Sequence, residues 1–101
     1  MQLRCLYNMS PQSSDYTDAM IGILSLALRR EGFTISRIKS MQNEKTNLHV
    51  LEDLISAECI TLRDGSFGIT TKGGAVLAKL EKQYNDAGWK SELNSIKEAY
   101  L

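Results

Sequence analysis

Few side chains in this sequence are of the types that do covalent or metal chemistry. His49 is the single histidine, and no cluster of Cys, Asp or Glu surrounds it at ligand spacing. Cys5 and Cys59 stand far apart with no CxxC or Cys/His partner, which removes a zinc site and leaves both as small buried hydrophobes. Ser10, Ser13 and Ser14 have no base nearby in sequence, so a hydrolase nucleophile is not supported. Gly73-Gly74 follows a strand pattern, but the phosphate-loop spacing and its Lys-Ser/Thr ending are missing, and close helix packing is the better reading. The expectation is a non-enzyme without metal or cofactor.

The whole chain has 101 residues, the size of one domain. Apolar residues make up 43% and charged residues 24%, which excludes a disordered or membrane class. Twelve basic and twelve acidic residues cancel, which counts against a whole-molecule attraction to nucleic acid. The local balance differs: from Thr34 to His49, Arg37, Lys39 and Lys45 stand against Glu44 alone. Met1 to Tyr7 has no basic leader before an apolar run, and no apolar stretch is long enough to span a bilayer, so a reduced, cytoplasmic protein without membrane contact is expected.

The elements that must carry these residues read in order. Residues 1–14 form an arm in which Leu3, Cys5 and Tyr7 alternate weakly with polar positions. Ser13-Ser14-Asp15 offers a cap to a first helix, nearly apolar from Met20 to Leu28, with Arg29 and Arg30 in its last turn and Gly32 as its stop. Thr34 is placed to cap a short second helix with Ile35, Ile38 and Met41 inward. After a turn at Gln42–Lys45, Thr46 is placed to cap a third helix with Leu48, Leu51, Leu54 and Ile55 on its inner face.

Asp64-Gly65 is a favoured two-residue hairpin turn, and it sets the register. Ile60 faces Ile69, Leu62 faces Phe67 and Arg63 faces Ser66, which brings four apolar side chains onto one side of the ribbon. Thr70-Thr71 then caps a fourth helix with Val76, Leu77, Leu80 and Tyr84 on one stripe, ending near Gly88. Trp89, Leu93, Ile96 and Tyr100 follow at spacings of four, three and four, an apolar seam for docking on another helix. The expected fold class is α+β, mainly α, with a domain at 15–87 and a C-terminal helix at 88–101.

This order of elements resembles that of winged helix-turn-helix proteins. The run Ile69-Thr70-Thr71-Lys72-Gly73-Gly74-Ala75-Val76-Leu77 is similar to the pattern by which MarR-like and PadR-like regulators lead the last wing strand into a helix. Small winged-helix proteins of prophages and viruses look nearest in size, and some also trail a Trp-led helix like Trp89-Lys90. The resemblance covers residues 15–84. One departure is Ala57-Glu58-Cys59, where relatives often have Gly; Glu in a left-handed cap costs about 1 kcal/mol relative to Gly.

The resemblance implies a double-stranded DNA-binding transcriptional regulator with the third helix in the major groove. Lys45, Thr46, Asn47 and His49 are then the base-facing or phosphate-facing candidates, with Arg37 and Lys39 on the second helix and Arg63 and Ser66 at the wing on flanking backbone. It also implies a homodimer, for which Trp89, Leu93, Ile96 and Tyr100 are the candidate interface; the competing reading folds this segment back against Leu3, Cys5 and the first helix. The alternative function is a winged-helix module that engages a protein partner, motivated by zero net charge and by Glu44, Glu52 and Asp53 around the third helix.

Overall fold

A run of seven consecutive buried residues, Ile21 to Ala27, is possible only for a helix enclosed on all sides, and that helix organises the rest of the molecule. The structure is a computed structural model and describes residues 15–101. The expected arm, with its strand pattern and the caps Ser13 and Ser14, lies outside the described residues.

The enclosed helix is α1, Asp15–Leu28, with Asp15 and Asp18 in the first turn where the helix dipole favours acids. It packs against the third, fourth and fifth helices and against the hairpin. Ile21, Ile23, Leu24 and Leu26 are fully buried, each contributing about 1.5–3 kcal/mol relative to exposure. The helix ends at Leu28, so Arg29 and Arg30 lie in the following turn rather than in its last turn. Gly32 has a left-handed backbone, as its stop position required, and a Cβ there would meet the Phe67 carbonyl oxygen.

That close approach continues into Phe33, which exchanges both backbone hydrogen bonds with Phe67 at 3.1 and 2.7 Å. Their rings stack with centroids 5.2 Å apart. Helix α2, Ile35–Lys39, starts after Thr34, whose side chain makes no cap hydrogen bond; Ile38 is its buried residue, while Ile35 is exposed. A turn leads to Asn43, left-handed at φ 61, and helix α3, Glu44–Ser56, begins there. The expected cap at Thr46 is thereby corrected: Asn tolerates the left-handed conformation, so the chain enters the helix three residues earlier.

The buried stripe of α3 is Asn47, Val50, Leu51 and Leu54, at offsets of three, four and seven. Leu48 is half-buried and Ile55 exposed, so the inner face is rotated from the expected one. The helix closes on Glu58 at φ 64, with the Glu58 and Cys59 amides bonded to the Ile55 and Leu54 carbonyls. This is the Schellman arrangement with Glu in the place usually taken by Gly.

Strands β1, Ile60–Arg63, and β2, Ser66–Ile69, pair antiparallel in the expected register. Asp64 and Gly65 both have positive φ, as the primed turn demands. Ile60 and Phe67 are buried and Ile69 is half-buried, but Leu62 is 58% exposed although it faces the buried Phe67: β2 is bridged to Phe33 on its other side, while β1 is the outer strand at this level.

Thr70 caps helix α4, Thr71–Asp86, by accepting from the Gly73 amide at 3.0 Å, and its hydroxyl donates to the Glu58 carbonyl. A Cβ on Gly73 would collide with the Cys59 carbonyl, so glycine lets α4 lie against the end of α3. At the far end of α4, Gly88 is left-handed and the Trp89 amide bonds back to the Tyr84 carbonyl. The Trp89 ring then meets Tyr84 edge-on at 5.5 Å, the apolar contact that accompanies such a cap.

Helix α5, Lys90–Tyr100, packs on α1 and α4. Leu93 and Ile96 are buried there, Trp89 and Tyr100 are half-buried, and Lys97 pairs with Glu81 of α4. Of the expected dimer-interface residues, Leu93 and Ile96 are thus buried within this chain, as in the competing reading that folds the segment back on the first helix, while Trp89 and Tyr100 keep part of their surface exposed.

The result is an α+β architecture, mainly helical, with one two-stranded hairpin.

Candidate functional site

With Asn47, Val50, Leu51 and Leu54 inward, the outward row of α3 is Lys45, His49 and Glu52, all exposed. Thr46 sits at its flank, half-buried. Asp15 and Tyr16, from the start of α1, line a shallow groove together with Lys45, Thr46 and His49. Here His49 Nε2 lies 3.6 Å from Asp53 Oδ2, and the Tyr16 ring stands edge-on to the imidazole at 6.1 Å. The Tyr16 hydroxyl donates to the same Asp53 carboxylate, and this bond, followed by burial and the carboxylate charge, raises the phenol above its ordinary pKa.

Asn47 is corrected as a base-reading residue. It is 1% exposed, its Nδ2 donates to the Gln42 carbonyl at 3.3 Å, and its Oδ1 accepts from the Tyr100 hydroxyl at 2.7 Å. The inner stripe of α3 extends back through this position, so an amide there serves the core. Arg37 is exposed, and its Nη2 donates to the main-chain oxygens of Tyr100 and Leu101, at 2.7 and 3.2 Å, which turns it toward the end of α5.

Lys39 is exposed on α2 and Arg63 is exposed beside the hairpin turn, neither with an ion pair among the described residues. The Ser66 hydroxyl donates to the Glu31 carbonyl at 2.7 Å, tying the hairpin to the connection between α1 and α2.

The structure thus brings Lys45, Thr46 and His49 together, and leaves Lys39 and Arg63 on other elements.

No family model, curated protein or solved structure matches the chain.

Two groups were not singled out by the sequence. Tyr16 and Asp53 join across 37 positions, and no local pattern signals that. Arg29 and Arg30 read as a helix stop, yet they line a cleft with Arg63; the adjacent pair of arginines was the available signal. Among the described residues, no cluster of three His, Cys, Asp or Glu side chains is placed to hold a metal, and no helix is long and apolar enough to cross a membrane.

Proposed function

We propose that this chain is a winged-helix protein that binds double-stranded DNA as a transcriptional regulator. The observation that carries the reading is the outward row of α3, with Lys45 and His49 exposed and Thr46 at its flank, directly after a short helix and turn. The hairpin that follows is fixed beside the α1–α2 connection by the Phe33–Phe67 bridge, the place a wing would take. Lys45 and Thr46 hold phosphates, His49 reaches toward base edges, and Lys39 and Arg63 meet flanking backbone.

The test is binding of a random-sequence duplex, followed by fluorescence anisotropy from about 50 mM salt upward. Affinity should fall linearly on logarithmic axes as salt rises. Lys45→Ala should weaken all duplexes alike and reduce the slope by about one.

A second reading is a protein-binding winged helix. Asp15, Glu44, Glu52 and Asp53 surround the same face of α3 and would repel phosphate. Absence of duplex binding at about 50 mM salt overturns the DNA reading in favour of this one.

A further inference from the structure

Gly68 is a glycine that the fold does not require. It occupies an interior position of β2 opposite Thr61, its φ lies outside the left-handed range, and a Cβ built on it would meet nothing within 4 Å. Gly32 and Gly73, by contrast, each face a carbonyl oxygen at 2.1 Å from such a Cβ. Glycine inside a strand weakens it, and one use of such a glycine is to let a ligand approach the backbone closely.

What surrounds Gly68 identifies the ligand chemistry. Alternation along the hairpin puts Thr61, Arg63, Ser66 and Gly68 on the face opposite Ile60 and Phe67. That face forms one side of a cleft of about 250 Å³, and Arg29 and Arg30 from the turn after α1 form the other. Glu31 is the single acid among the lining residues, and it is paired with Arg29. Arg30 and Arg63 have no ion pair among the described residues, which leaves the cleft with two uncompensated guanidinium groups and the Thr61 hydroxyl.

We propose that this cleft binds a phosphate group, held by Arg30 and Arg63 over a floor left open at Gly68. Guanidinium groups present paired donors suited to phosphate oxygens, and a side chain at position 68 would occupy the space the oxygens need. The phosphate comes from a DNA backbone, which rests on the function proposed above, or from a small free phosphate ester.

The experiment uses the full chain, with inorganic pyrophosphate and a random duplex as separate probes. Amide shifts of Gly32 and Gly68 are followed by NMR and affinities by calorimetry. Both probes should move these amides. Gly68→Val should melt at or above the wild-type temperature, because it adds a strand-favouring side chain in open space, yet bind both probes about tenfold more weakly or worse.

An Arg30→Gln, Arg63→Gln double variant, altered only at exposed positions, should lose affinity similarly and serves if Gly68→Val fails to fold. Pyrophosphate binding at these amides without duplex binding supports the site and overturns the DNA reading. Unmoved amides, or unchanged pyrophosphate affinity in a folded variant, overturn the site. Duplex binding that is weakened by Lys45→Ala but not by either cleft variant removes DNA as the source of the phosphate.

Discussion

The ring of Tyr100 lies directly on Gly22, so close that a Cβ at position 22 would fall 2.2 Å from it. The end of α5 is thereby seated on the middle of α1. Gly22→Ala gains about 1 kcal/mol of helix propensity but must displace a rigid ring whose hydroxyl is bonded to Asn47, on a residue whose main-chain oxygen is bonded to Arg37. Overpacking of this kind costs about 1–3 kcal/mol. The variant should melt below the wild type, with shifts in near-UV circular dichroism, and a higher melting temperature would show that Tyr100 moves freely.

Asn47→Ala should lower stability by about 1–2 kcal/mol, since it removes the hydrogen bonds that the buried amide makes with the Gln42 carbonyl and the Tyr100 hydroxyl. Tyr100→Phe should cost about 1 kcal/mol. Because both remove the same hydrogen bond, the double variant should be less destabilised than the sum of the two, measured by urea denaturation. Additive effects would remove the coupling.

Glu58→Gly should stabilise the protein by about 1 kcal/mol, because the left-handed cap at the end of α3 is then met without steric cost. For a domain of this size that is a rise of about 4–8 °C in Tm. Scanning calorimetry decides it, and an unchanged or lower Tm would mean that the Glu58 side chain contributes more than its backbone costs.

Burial, followed by the charge of Asp18, raises the Tyr100 phenol above the ordinary tyrosine value. A phenol whose folded pKa is raised contributes stability that is complete below the unfolded pKa of about 10 and is lost as pH rises through the folded value. Stability should therefore hold to about pH 10 and then fall. Tyr16, shifted the same way, adds to this in the wild type, so Tyr100→Phe should flatten the alkaline slope only in part. Denaturation midpoints against pH, with tyrosinate absorbance, give the comparison.

How much of this was legible in the sequence depended on the distance between cause and effect. The hairpin register followed from Asp64-Gly65 and alternation, and the Thr70 cap and the Gly73 approach followed from residues within a few positions of each other. Leu62 shows the limit of alternation, which gives a face but not how far the core extends along it.

The spacing of Trp89, Leu93, Ile96 and Tyr100 revealed an apolar seam but did not decide between a second copy and the first helix as its partner; in the structure it packs on α1 and α4. Asn47 was assigned to DNA by its place on the third helix. Its true partner is Tyr100, 53 positions on, and only the period of Val50, Leu51 and Leu54 hinted that it faces inward. The site on α3 was therefore legible as a helix and a turn, and illegible in the rotation that decides which side chains are free.

The Phe33–Phe67 bridge fastens two points that enclose all of α2, α3 and β1. Everything between them is a closed loop, with its ends joined by two backbone hydrogen bonds and a ring stack. In hydrogen exchange the Phe33 and Phe67 amides, bonded to each other beneath two buried rings, should be among the protected ones, while residues at the hairpin tip should exchange earlier. A force or ligand acting on the hairpin is thus felt at the start of α2 before any helix unwinds.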